Sequence, residues 1–129
     1  MDVDAALERL LRDSAQVERA VVLDAGGKLL GSSARDDAVT ETLAATARDL
    51  AAVAGELHLG STEVTTIEVG LVEGALFVLR EGERTIAAVT GPNPTAGLVS
   101  YDLRTCLHGI EETRKPRRRK AKPKEEQGA

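Results

Sequence analysis

Few residues in this 129-residue chain have the chemistry to act on a substrate: a glycine pair followed by lysine, two histidines, one cysteine and a handful of arginines. A phosphate-cradling loop needs a glycine-rich turn that runs into Lys-Ser or Lys-Thr at a helix start. Gly26-Gly27-Lys28-Leu29 has the wrong spacing and no hydroxyl beside the lysine, so it reads as a tight hairpin turn. His58 and His108 have no Cys or His at metal-ligand spacing and read as solvent-exposed side chains. Cys106 shares an apolar helical face with Leu103 and Leu107, which makes it a buried structural thiol and not a nucleophile. Arg35, Arg48, Arg80 and Arg84 are of the type that stabilises phosphoryl-transfer charge on a bound partner, but each reads as a solvated surface charge and none is assigned that role. No catalytic, cofactor or metal residue emerges. The expectation is a protein that is not an enzyme.

Composition narrows the classes further. The large apolar residues, 16 Leu, 12 Val, 3 Ile and Phe77, suffice for one core, and nineteen alanines suggest closely approaching elements. Aromatics reach only 2%, which leaves no material for base-stacking platforms or an aromatic-lined cofactor cavity. The longest apolar runs, such as Ala75 to Leu79, fall far short of the roughly 18 residues of a membrane helix. The start, Met1-Asp2-Val3-Asp4, is acidic where a secretory signal is basic, and the single thiol cannot form an internal disulfide. A cytoplasmic location is expected. Charge is split along the chain: residues 1–112 hold 9 Lys/Arg and 19 Asp/Glu, net −10, whereas residues 113–129 hold 8 Lys/Arg and 2 Asp/Glu, net +6.

The elements that must position these residues follow from periodicity. Leu7, Leu10 and Leu11 predict a short amphipathic helix over 4–14, with Asp2 or Asp4 as its N-cap. Arg19 to Asp24 and Lys28 to Ser32 flank the glycine turn as a β-hairpin. Residues 36–59 form the longest periodic segment, opened by Asp36 or Asp37 and closed by Gly60, with Val39, Leu43, Ala47, Leu50, Ala54 and Leu57 on one face. Ala44, Ala45, Ala51, Ala52 and Val53 spread small apolar groups well beyond that stripe, so a second cover besides the helix's own sheet is expected. Three strands, 64–71, 75–80 and 84–90, are joined by short glycine-bearing turns as an antiparallel meander. Runs 20–23, 75–79 and 86–89 are apolar at every position and so are buried on both faces, whereas Thr65 to Leu71 alternates and belongs at one sheet edge, with Lys28 to Ser32 at the other. Asn93-Pro94 is read as the start of a last helix that carries Val99, Leu103, Cys106, Leu107 and Ile110 and ends near Glu112. Strands buried on both faces require helices above and below the sheet, so the fold class is α+β, a three-layer α-β-β-α-β-β-β-α sandwich over residues 1–112. Residues 113–129, with two prolines and no large apolar side chain, are expected to be a disordered basic tail.

That element order resembles the Roadblock/dynein-light-chain family, as do the Ala-Val-Val-Leu-Asp-Ala-Gly-Gly-Lys-Leu-Leu-Gly-Ser hairpin at 20–32, the alanine-rich helix beginning near Asp37 and the stretch Thr95 to Arg104. The resemblance implies a five-stranded antiparallel sheet with the long helix on one face and the terminal helices on the other. It also implies dimers joined through the long helix and the mid-chain edge strand into a continuous sheet. On this sequence the interface residues would be Val39, Leu43, Ala47, Leu50, Ala51, Val53, Ala54, Leu57, Ile67 and Val69, with Leu43, Leu50, Val53 and Leu57 divided between sheet packing and a partner helix. Bacterial relatives are generally regulators or scaffolds of Ras-like small GTPases, so the implied partners are such a GTPase and a second copy of the chain. No cofactor is implied.

The tail offers a rival. Arg114, Lys115, Arg117, Arg118, Arg119, Lys120, Lys122 and Lys124 form a mobile polycation suited to weak contact with nucleic acid or anionic lipid. It lacks aromatics for stacking. The blander reading is a solubilising appendage, or one that folds back on the acidic body.

Overall fold

Asp2 and Asp36 set where the first two helices begin. Asp2 Oδ1 accepts from the Ala5 N–H at 2.8 Å, and Asp36 Oδ1 accepts from the Ala38 N–H at 2.8 Å, each satisfying a backbone donor that has no partner inside its helix. The computed structural model describes residues 1–56 and 65–110. Within them the order is α1 (Val3–Asp13), β1 (Val17–Leu23), β2 (Leu29–Ser32), α2 (Asp37–Gly55), β3 (Thr66–Leu71), β4 (Gly74–Glu81), β5 (Arg84–Thr90) and α3 (Ala96–His108). Leu57, His58 and the whole basic tail lie outside the described residues.

The five strands form one antiparallel sheet in the order β2-β1-β5-β4-β3, which places the two mixed-polarity runs at the edges as expected. Alternation along the central strands feeds two separate cores. Ala20, Val22, Phe77, Leu79, Ile86 and Ala88 face α1 and α3, where they meet Leu7, Leu10, Val99, Leu103 and Leu107. Val21, Leu23, Leu76, Val78 and Ala87 face α2, where they meet Leu43, Ala44 and Ala47. Phe77 and Leu79 are both 1% exposed, and full burial of a side chain of this size stabilises the fold by about 1.5–3 kcal/mol. The expected three-layer architecture is what the structure shows.

Three helix boundaries differ from the sequence reading, the simplest being the end of the last helix, which stops at His108 with Gly109 as its C-cap instead of near Glu112. Asn93 takes a left-handed backbone with φ 56°, so it cannot serve as N-cap, and the last helix begins after Thr95 instead. Thr95 makes no side-chain capping bond, and its N–H goes to the Gln16 side chain, so a tertiary contact overrides the local Asn-Pro signal. The long helix ends at Gly55, where the Glu56 N–H turns back to the Val53 carbonyl at 3.1 Å. Glycine is among the weakest helix formers, and that tighter last turn closes the helix there. The expected closing residues Leu59 and Gly60 lie outside the described residues.

Candidate interaction surface

Backbone alternation in β3 determines what its open edge presents. The Arg80 N–H donates to the Thr65 carbonyl at 2.8 Å, and the register pairs Ile67 with Val78, Val69 with Leu76 and Leu71 with Gly74. In an antiparallel ladder hydrogen-bonded pairs recur at every second residue, so Ile67, Val69 and Leu71 direct their backbone groups at β4. Thr66, Glu68 and Gly70 therefore direct their N–H and C=O groups outward, where no described residue pairs with them. The side chains of Ile67 and Val69 lie on the α2 side of the sheet and pack partly against that core. Leu71 is 48% exposed and Val72, at the turn that follows, is fully exposed.

Helix α2 divides the residues singled out from the sequence. Leu43, Ala47 and Ala54 are buried, the first two against the helix's own sheet. Val39 and Leu50 are half-buried at its flank, Ala51 is exposed and Val53 is 62% exposed. Leu57 is outside the described residues. The outward side of the helix carries Ala38, Thr42, Ala45, Ala52 and Val53, interrupted by Glu41 and Asp49. Most of these side chains are small, so another helix axis can approach closely where Glu41 and Asp49 do not intervene.

The two features join in an apolar groove of about 390 Å³ between the first half of α2 and the sheet. Val39, Thr42 and Thr46 form one wall; Leu71, Leu76 and Val89 form the other. Thr42 and Thr46 escape a sequence reading because hydroxyl side chains do not count toward an apolar stripe. Their spacing of four, the same step as Val39 to Leu43, carries the signal. The Thr46 hydroxyl donates to the Thr42 carbonyl at 2.8 Å, which leaves its methyl group available to the groove.

A family model described as the Roadblock/LC7 domain matches residues 3–90. The chain belongs to the Roadblock/LC7 family. Among solved structures, this Roadblock/LC7 domain is similar to one from Streptomyces avermitilis at 20% identity, covering 84% of this chain and 93% of that one with a TM-score of 0.74. A second Streptomyces avermitilis Roadblock/LC7 domain matches at 25% identity over 85% of this chain and 99% of that one, TM-score 0.67. Myxococcus xanthus MglB matches at 19% identity over 82% and 89%, TM-score 0.71. Among curated proteins none matches the sequence.

In this Roadblock/LC7 domain the residues weighed for chemistry have structural work. Asp24 Oδ1 accepts from the N–H groups of Gly26 and Lys28, at 2.9 Å each, so the donors a phosphate would need are already engaged. Gly27, with φ 88°, supplies the left-handed residue of the turn. Arg48 donates through Nε to the Gly27 carbonyl. Cys106 is buried, and burial pushes its thiol from the ordinary 9.0 up to about 11, the opposite of what a nucleophile needs. His108 is exposed and lies 2.8 Å from a Glu81 carboxylate oxygen. Among the described residues no group of three or more potential metal ligands occurs, and no helix is long and apolar enough to cross a membrane.

Proposed function

We propose that this Roadblock/LC7 domain is a non-catalytic dimer that regulates or scaffolds a Ras-like small GTPase by docking. The observation that carries the dimer is the combination of the outward backbone groups of Thr66, Glu68 and Gly70 with the small-residue outer side of α2. A second copy related by a two-fold axis satisfies both at once, extending the sheet through β3 and stacking helix on helix. The GTPase partner rests on family membership, and the cytoplasm is the compartment that fits it. In such a role the domain acts on GTP hydrolysis or localisation by positioning the partner's own groups. Arg48 is in keeping with this reading, because its Nε is engaged by the Gly27 carbonyl at the hairpin turn.

The test combines light scattering with binding. Ala45→Asp and Val53→Asp place a charge on exposed positions of α2, so the subunit folds while the dimer is expected to dissociate. Binding of a purified Ras-like GTPase from the same genome, in GDP and GTP forms, is expected to persist in a chain lacking residues 113–129. Loss of nucleic-acid or anionic-vesicle binding on that deletion, with no GTPase bound by either chain, would favour the polyanion reading of the tail.

A further inference from the structure

At the end of the sheet remote from the groove, the β1–β2 turn, the β4–β5 turn and the last turn of α3 enclose a cleft of about 870 Å³. Three carboxylates line it, Asp24, Glu81 and Glu83, against Arg84 and His108. Its apolar wall includes Ile110, the buried residue from which the chain continues into Glu111, Glu112 and the basic segment. That segment holds eight Lys/Arg between Thr113 and Lys124 and no large apolar side chain, whereas residues 1–112 are net −10.

Position and charge coincide. Arg114 follows Ile110 by four residues, a span of about 13 Å in extended chain, and Arg117 to Lys120 reach farther still. A tether this short gives an effective concentration on the order of millimolar, so ion pairs that are individually weak become occupied together. Glu41 and Asp49 on α2, and Glu68 and Glu73 on β3 and its turn, do not line this cleft, whereas Ile110, where the described chain ends, does.

We propose that residues 113–124 fold back into the cleft between the two turns and α3, and that this segment of the same chain is the cleft's occupant. The contact is electrostatic and therefore depends on salt. It covers the tail's cations, so a phosphate-bearing polyanion must displace the cleft carboxylates before it can bind them. None of this depends on the GTPase reading.

Limited trypsin digestion of the full chain tests it, with cleavage after Arg114 to Lys124 followed by mass spectrometry. Glu81→Gln combined with Glu83→Gln removes two cleft charges, and the amide introduced by Glu81→Gln can still hydrogen-bond His108. At about 0.05 M salt the tail of the unaltered protein is expected to be cut roughly fivefold more slowly than that of the double variant, with the difference abolished at about 0.5 M. Equal rates at low salt would overturn the proposal. So would an equal acceleration in a Glu68→Gln, Glu73→Gln control, which would assign the protection to general body charge. Protection that disappears on dilution would assign the cleft to a second copy and overturn the intrachain contact.

Discussion

Arg48 Nε donates to the Gly27 carbonyl at 2.6 Å across a sequence separation of 21 residues, fastening the β1–β2 turn to the long helix. The bond is partly buried and charge-assisted, at a turn whose Gly27 already needs a left-handed backbone. It locates the polar flank of α2 over the hairpin and so directs Val39, Thr42 and Thr46 toward the groove on the opposite flank.

Arg48→Ala is therefore expected to destabilise the subunit by about 1–2 kcal/mol in urea unfolding. Arg48→Lys should recover less than half of the loss, because a flexible ammonium does not reproduce the planar Nε donor.

Leu43 and Val53 share a helix but not an environment. Leu43→Ala is expected to cost about 2–5 kcal/mol by opening a cavity against Leu76 and Val78, whereas Val53→Ala, at an exposed position, should change subunit stability by under about 1 kcal/mol. If the proposed dimer is right, sedimentation will reverse that order, with Val53→Ala weakening self-association at unchanged fold. A dimer constant insensitive to Val53 would remove the outer side of α2 from the interface.

The two glycines of β3 and β4 should respond oppositely. A Cβ on Gly74 would run into the Thr90 carbonyl oxygen, so Gly74→Ala is expected to cost about 1–3 kcal/mol in thermal or urea denaturation. A Cβ on Gly70 meets nothing within 4 Å, so Gly70→Ala should be neutral or stabilising by about 0.5 kcal/mol.

Cys106 gives a pH-dependent prediction. Its folded pKa lies near 11 against 9.0 for an ordinary thiol, so the folded state holds its proton more tightly. The stability linked to that group is fully present below about pH 8 and is lost as pH rises through the window from 9 to 11. Denaturation from pH 7 to 11 should show a decline in the unaltered protein that is shallower in Cys106→Ala. A disulfide reagent at pH 8 should label Cys106 only as fast as the subunit unfolds; rapid labelling of native protein would contradict the buried-thiol assignment.

Much of this fold is legible in the residues because its strands announce their surroundings. Ala75 to Leu79 is apolar throughout and is buried on both faces; Thr66 to Leu71 alternates and is an edge. The alanines of α2 carry no comparable information. Ala44 and Ala47 are fully buried while Ala45 and Ala52 are exposed, and a methyl side chain gains too little from burial for its neighbours' pattern to distinguish them. The start of the last helix departs from the sequence expectation because Asn93-Pro94 is a strong local signal, and only the fold reveals that the Gln16 side chain takes the Thr95 N–H. The candidate surface is legible as a helix and a strand, since Val53, Ile67 and Val69 each stand out by type. The groove is not, because Thr42, Leu71 and Val89 come together only when the sheet forms. The carboxylates of the far cleft, Asp24, Glu81 and Glu83, are likewise brought together only by the fold.

The two margins of the sheet are unequal. β2 is four residues long, and its pairing with β1 slips between Val22 and Leu23, whereas β3 runs straight for six paired residues. Subunits joined along β3 would therefore expose only the short, irregular margin at each outer end, a poor template for adding a further strand. Growth by edge addition would stop at two, and the same asymmetry that invites one neighbour discourages fibres.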